Sequence, residues 1–200
     1  PVFGTSSTLA YNFGGGQASR RNQSIEWPDA NAPANISITN GSWVQLTGNK
    51  SVAGNITVSN GALQASGSRT LTMNGTSQSI TISSTTGGAI YGTDNGVGND
   101  LKLNVASGSS TTITGDATTT NDDEKKFYGV TVNQGATLQL ARGLLCKYDV
   151  FVVNGTLQIN SGGYVQKING IAPTYGVGAL LKYNSGGTYN RSIEWSSVTG

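Results

Sequence analysis

A short phrase that recurs at steps of about 20 residues constrains the fold of this chain more than any other feature. Each copy has two apolar residues around a small polar one, then a turn, then a second alternating run. Clear copies cover 35–46, 55–66, 129–140 and 149–160, and weaker ones cover 79–91 and 100–113. The first apolar residues of the six copies are Ile36, Ile56, Ile80, Leu101, Val130 and Val150, separated by 20, 24, 21, 29 and 20 residues. Such a steady step indicates a repeated structural unit.

The alternation within each phrase predicts short β-strands, because successive side chains of a strand point to opposite faces. In an antiparallel β-sandwich, each Asn-Gly would form a hairpin turn. In a parallel β-helix, each phrase would be one coil, with Asn and Gly in the left-handed conformation at its corners. Stacked coils explain the steady step, whereas hairpins do not. We therefore predict an all-β chain forming a parallel β-helix (β-solenoid) of about six coils of roughly 20 residues, with the antiparallel β-sandwich as the alternative.

Two vertical stacks follow from this alignment. The first apolar residues of the six phrases should form one inward column, from Ile36 to Val150. Asn40 should lie over Asn60 at a corner, where their amides would form a ladder.

Composition supports an all-β chain and excludes several functions. The sequence has 29 Gly and is rich in Ser, Thr and Asn, which are weak helix formers. Its net charge is +2, and the basic residues are scattered, so we expect no nucleic-acid partner. No apolar run is long enough to predict a membrane span. His is absent and Cys146 is the only cysteine, which argues against His-dependent catalysis and thiolate metal sites. The apolar neighbours of Cys146 predict a buried thiol.

One long phrase occurs twice. LAYNFGGGQASRRNQSIEW (9–27) matches LKYNSGGTYNRSIEW (181–195), with an offset of 172 at the Tyr-Asn pair and 168 at the Trp. This predicts that residues 1–175 are one solenoid repeat module with a junction segment at its start. Residues 176–200 would then begin the next repeat or form a module–module junction.

The phrases LLKYNSGGTYNRSIEW and NITVSNGALQ resemble repeat modules of long secreted or surface-anchored β-helix proteins of Bacteroidota-like bacteria. This resemblance implies a right-handed parallel β-helix, export from the cell, and an adhesin-like or structural role. It implies no catalytic residues.

The densest group of ionisable residues is the stretch TTTNDDEKKFYG (118–129), which coincides with the longest step. Its functional interpretation places a carboxylate and lysine set at Asp122, Asp123, Glu124, Lys125 and Lys126. Paired carboxylates perform glycoside hydrolysis, so this stretch would serve a carboxylate-dependent polysaccharide lyase or hydrolase. Its structural interpretation is a solvated loop of mixed charge, which we favour.

A second oxygen-rich stretch is YGTDNGVGND (91–100), with Asp94, Asn95, Asn99 and Asp100 among glycines. Oxygen ligands suit Ca²⁺, and Asp122 and Asp123 would offer the same ligands. The spacing matches no calcium loop, and Asp-Asn-Gly is common in turns, so we predict a turn.

The aromatic residues concentrate near the duplicated phrase and include Trp27, Trp43, Trp195, Tyr11, Tyr183 and Tyr189. Exposed rings of this kind stack on sugars, so they allow a glycan partner. Their recurrence at equivalent places in both copies favours packing at a module junction.

The alignment also places Ser37, Thr57, Thr81 and Thr131 on the outer face. A regular hydroxyl stripe of this type occurs on ice-binding solenoids. The same alignment puts Lys102 and Phe151 at equivalent outer positions, where they would interrupt it.

These features predict a structural or adhesive segment of a secreted or cell-surface protein or fibre, and not an enzyme. We expect no catalytic residues, no cofactor-binding residues and no metal ligands. The expected partners are neighbouring copies or modules of the same protein, stacked end to end into filaments, with surface glycans as further candidates. The alternative function is a polysaccharide-binding or polysaccharide-degrading β-helix module.

Overall fold

The chain winds into a β-solenoid with three faces. The computed structural model describes residues 1–92, 99–116, 125–167, 169–189 and 192–195. Within these ranges every strand pairing is parallel. The antiparallel sandwich is therefore wrong, and the parallel β-helix is confirmed.

Each face is a stack of short strands, one from each coil. The first face contains β1 (Thr8–Tyr11), β3 (Asn35–Ile38), β10 (Ser110–Gly115), β13 (Thr137–Leu140), β16 (Thr156–Asn160) and β19 (Leu180–Asn184). Two longer strands, β6 (Ile56–Ala65) and β8 (Gln78–Tyr91), contribute their first parts to this face and their later parts to the second face. The second face contains β2 (Arg21–Asn22), β4 (Ser42–Leu46), the later parts of β6 and β8, β11 (Lys125–Phe127), β14 (Gly143–Cys146) and β17 (Tyr164–Val165). The third face contains β5 (Lys50–Val52), β7 (Arg69–Met73), β9 (Leu101–Val105), β12 (Val130–Val132), β15 (Phe151–Val153) and β18 (Thr174–Tyr175).

The described strands form six complete coils, beginning at β3, β6, β8, β10, β13 and β16. β1 and β2 lie above them, and β19 lies below. A short 3-10 helix (Gln17–Ser19) connects β1 to β2. Among the described residues, no helix has the length and apolar character needed to cross a membrane.

The apolar core is a set of vertical columns inside the coils. On the first face, Ile36, Ile56 and Ile80 lie directly above one another and are at most 1% exposed. This part of the predicted column is confirmed. Below Ile80, the column continues through Ile113, Leu140, Ile159 and Tyr183.

The lower half of the predicted column is wrong. Leu101, Val130 and Val150 belong to the third-face side of the coil, not to the first face. Phe151, which pairs with Val130, is 1% exposed, whereas Val150 is 53% exposed. The alignment failed because strands of the third face repeat the same apolar-polar-apolar pattern. Longer segments between some strands also interrupted the regular spacing of the phrases, so the spacing no longer distinguished one face from another.

Asparagines occupy two corners of the coil, at one through their backbone conformation and at the other through side-chain hydrogen bonds. Asn40 and Asn60 have φ values of 55° and 58°, which confirms the predicted left-handed conformation. The hydrogen-bonded ladder lies at a different corner. Asn35 Oδ1 accepts from the backbone N–H of Asn55 (2.8 Å), and Asn55 Oδ1 accepts from that of Ser79 (2.8 Å). These side chains therefore satisfy backbone donors between neighbouring coils.

Candidate functional site

The duplicated phrase builds a small hydrogen-bonded turn at each end of the solenoid. In the first copy, Glu26 Oε1 accepts from the backbone N–H of Ser24 (2.9 Å) and from the hydroxyl of Tyr11 (3.3 Å). Tyr11 lies at the end of β1, so this carboxylate ties the turn to the first strand. Burial, with Glu26 as a further cause, raises the pKa of Tyr11 above its usual range.

The second copy repeats this geometry. Glu194 Oε1 accepts from the backbone N–H of Ser192 (2.8 Å) and from the hydroxyl of Tyr183 (3.3 Å). The sequence match is therefore also a match in hydrogen bonding. The strand neighbours differ, because Tyr183 lies in β19, which pairs with β16 of the preceding coil, whereas β1 pairs with β3 of the following coil. We call the two turns with their strands the N-terminal junction (8–27) and the C-terminal junction (180–189 and 192–195).

A buried lysine fastens the N-terminal junction to the coil below it. Trp27 is fully buried in the core. Lys50 Nζ donates to the carbonyl oxygen of Trp27 (2.6 Å) and to Asp29 Oδ1 (2.6 Å). Lys50 itself is only 7% exposed. The Lys50 ammonium group therefore binds the last residue of the N-terminal junction and a residue just after it.

The C-terminal junction encloses a carboxylate among tyrosines. Glu194 is fully buried, and its backbone carbonyl accepts from the hydroxyl of Tyr175 (2.7 Å). Burial raises the pKa of Tyr175 and of Tyr189, with the nearby Tyr183 and Glu194 as further causes. The Tyr175 hydroxyl is protonated at neutral pH and serves as a hydrogen-bond donor to the Glu194 carbonyl. The sequence analysis identified Tyr183, Tyr189 and Trp195 but missed Tyr175 and the role of Glu194.

Trp43 does not belong to either junction, contrary to the grouping made from the sequence. It lies in β4 and stacks on Tyr91 of β8, with ring centroids 5.2 Å apart and planes at 17°. Lys126 Nζ lies 6.0 Å from the centroid of the Tyr91 ring. The second face therefore carries an aromatic pair with a cation beside it.

The acidic insertion is only partly described. Asp122, Asp123 and Glu124 lie outside the described residues. The chain resumes at β11 with Lys125, and Lys126 is the residue beside Tyr91. The predicted carboxylate and lysine set stays a prediction.

The second oxygen-rich stretch is also divided. Asp94 and Asn95 lie outside the described residues. Asp100 is engaged through its backbone: its N–H donates to the carbonyl of Gly67 (3.0 Å), and its carbonyl accepts from the N–H of Arg69 (2.8 Å). These hydrogen bonds lie at the start of the paired strands β7 and β9.

The outer hydroxyl column differs from the predicted one. Ser37, Thr57 and Thr81 lie in register on the first face and continue to Thr114. Thr131 lies on the third face instead, paired with Asn104.

The two predicted interruptions of that column are wrong. Lys102 and Phe151 lie on the third face, and Phe151 points into the core. Lys102 Nζ pairs with Asp149 Oδ2 at 2.7 Å.

The described part of the chain contains no group of three or more His, Cys, Asp or Glu side chains placed to hold a metal ion. Cys146 is fully buried in β14, as predicted. Burial raises the pKa of its thiol to about 12. A thiol in this environment is a core side chain and not a nucleophile.

Comparison of the chain with protein-family models, with curated proteins and with solved structures finds no match in any of the three.

Proposed function

We propose that this chain is a structural and adhesive repeat segment of a long secreted or cell-surface solenoid protein. One observation carries the proposal: the same junction, with the same Tyr-Glu-Ser hydrogen bonds, occurs at both ends of one stack of coils. A module that ends as it began can be followed by another of its kind. The resemblance to bacterial surface repeats supports the extracellular location.

The mechanism would be mechanical. Parallel strands share backbone hydrogen bonds along the axis, so axial load is distributed over the faces. The path from β1 to β19 crosses seven coil steps. At the usual strand spacing of about 4.8 Å, one repeat would add about 34 Å of length.

Electron microscopy of the secreted parent protein tests this role. Versions of the parent protein that differ by one internal repeat serve as matched controls. The proposal expects rods whose length changes by about 34 Å per repeat. Globular particles, or lengths that do not follow repeat number, would contradict it.

A second candidate function is binding or cleavage of polysaccharides. The aromatic pair of Trp43 and Tyr91 favours it, since aromatic rings stack on sugar rings and this pair lies on the outer side of the second face. Glycan arrays with the intact chain test binding, and depolymerase assays test cleavage. Trp43→Ala should abolish binding if the pair is the platform. Alanine substitution of Asp122, Asp123 and Glu124 should abolish cleavage if the insertion is catalytic. Wild-type chain that gives no signal in either assay would remove this candidate.

A further inference from the structure

We infer that the C-terminal junction is a docking site for residues 28–52 of a second copy of this chain, so that two copies share a single junction coil. The inference deepens the proposed function, on which it rests in treating the two turns as repeat junctions. In the shared arrangement, the C-terminal junction of one copy takes the place of the N-terminal junction of the next.

The burial of the glutamate and the tryptophan is reciprocal between the two junctions. In the N-terminal junction, Glu26 is half-buried and Trp27 is fully buried. In the C-terminal junction, Glu194 is fully buried and Trp195 is 59% exposed. The turns have the same internal hydrogen bonds, so the difference comes from their surroundings.

The coil that follows the N-terminal junction covers its tryptophan side. β1 pairs with β3, and β2 pairs with β4. The backbone N–H of Gln23 donates to the carbonyl of Gln45 (2.8 Å), and the side-chain amide of Gln23 donates to Thr47 Oγ1 (2.8 Å). Lys50 completes the contact through the Trp27 carbonyl. Residues 28–52 are therefore what the tryptophan side of a junction packs against.

The coil that precedes the C-terminal junction covers its glutamate side. β19 pairs with β16. Ser192 Oγ donates to the carbonyl of Val165 (3.0 Å), and Tyr175 Oη donates to the carbonyl of Glu194 (2.7 Å). The preceding coil thus contacts the C-terminal junction on the side of Glu194.

In the described part of the chain, the N-terminal junction is packed against a coil on its tryptophan side, and the C-terminal junction is packed against a coil on its glutamate side. Among the described residues, β1 pairs with β3 alone and β19 with β16 alone. A strand edge of this kind is a template for another strand. A shared junction would have the β16 coil on its glutamate side and the β3 coil on its tryptophan side.

The existing register defines the expected contact. Leu9, Ala10 and Tyr11 lie opposite Ile36, Ser37 and Ile38. By sequence equivalence, Leu181, Lys182 and Tyr183 would take those positions on the next copy. The contact is head to tail and does not close, so it builds an open fibre.

A chain's own N-terminal junction competes for the same surface. Tethering gives that junction an effective concentration of the order of millimolar. Exchange between copies should therefore grow with protein concentration and with any change that weakens the N-terminal junction.

Disulfide trapping between two forms of the full chain, each with one added cysteine, tests this inference. One form carries Lys182→Cys and the other Ser37→Cys, with an affinity tag on one to identify heterodimers by mass. Neighbouring strands lie about 4.8 Å apart, within reach of a disulfide. Cys146 is buried with a pKa of about 12, so it should not react. We expect a heterodimer whose yield rises with concentration.

A matched pair of tryptophan variants sharpens the test. Trp27→Ala, made in the Ser37→Cys form, weakens the N-terminal junction of that chain and should raise the heterodimer yield at least about tenfold. The reason is that loss of a buried Trp side chain destabilises by more than the ~1.4 kcal/mol that a factor of ten requires. Trp195→Ala, made in the Lys182→Cys form, should lower the yield. An intramolecular disulfide between Ala10→Cys and Ser37→Cys in one chain confirms the native register.

Two results would overturn the inference. One is a heterodimer between Lys182→Cys and Ala10→Cys forms in place of the expected one, because it would mean that intact ends stack without exchange. The other is the absence of either heterodimer at high concentration, with Trp27→Ala included. Neither result affects rod length per repeat in the parent protein, so a failure here is separate from a failure of the proposed function.

Discussion

Replacing Phe151 and Val150 separately tests the register of the third face. These neighbours point to opposite sides of the sheet: Phe151 is 1% exposed and Val150 is 53% exposed. Phe151 lies in the inward column with Val130 and Leu103. Phe151→Ala should therefore destabilise the chain by about 3–5 kcal/mol, through lost burial and the cavity that remains. Val150→Ala should change stability by no more than about 0.5 kcal/mol.

Urea unfolding followed by circular dichroism measures both variants against the wild-type chain. The slope of the transition should stay constant while the midpoint falls for Phe151→Ala. For a chain of 200 residues, the expected loss corresponds to a fall in Tm of roughly 6–20 °C. If Val150→Ala were as damaging as Phe151→Ala, the strand would be shifted by one residue, and the described register would be wrong.

Three other predictions concern local chemistry. The Cys146 thiol, buried and with its pKa raised to about 12, should resist alkylation at pH 8 in the folded chain and react fully in denaturant. The hydrogen bond from Lys102 lowers the pKa of Asp149, so the ion pair stabilises the fold above the unfolded carboxyl pKa and is lost as pH falls through the folded one. Both side chains are about a third exposed, so Asp149→Asn should cost at most about 1 kcal/mol at pH 7, and nothing in acid, by urea unfolding. Asn55→Ala removes the acceptor of a backbone N–H in the next coil and should cost about 1 kcal/mol, against little change for the outward Thr57→Ala in the same assay.

The sequence predicted the fold class and the upper part of the core because the first-face strands keep a nearly constant step. Ile36, Ile56 and Ile80 are found where the pattern puts them. The prediction failed below Ile80, where the next first-face residue in the column is Ile113. A column is set by pairing between coils, and the alternation within one strand does not identify the face to which it belongs.

The junctions were visible in the sequence only as a duplication. Trp27 and Trp195 occupy equivalent positions in the phrase, yet their burial differs because each depends on the coil stacked beside it. The bond from Tyr183 to Glu194 spans 11 residues, and that from Tyr11 to Glu26 spans 15. No local pattern predicts contacts across loops of different length. The Glu that recurs at positions 26 and 194 of the duplicated phrase was nevertheless a sequence signal for a shared role.

The distance between the two ends of the solenoid tests the central claim, a continuous parallel stack with a junction at each end, most directly. Ala10 and Asn184 are exposed, on the outer side of the first face. Spin labels at Ala10→Cys and Asn184→Cys in one chain would be measured by pulsed electron paramagnetic resonance, in dilute solution. Seven coil steps predict a separation centred at about 34 Å between the two backbones. A distribution centred below half that value would mean that the two strands are not at opposite ends of one stack, and the account would be contradicted.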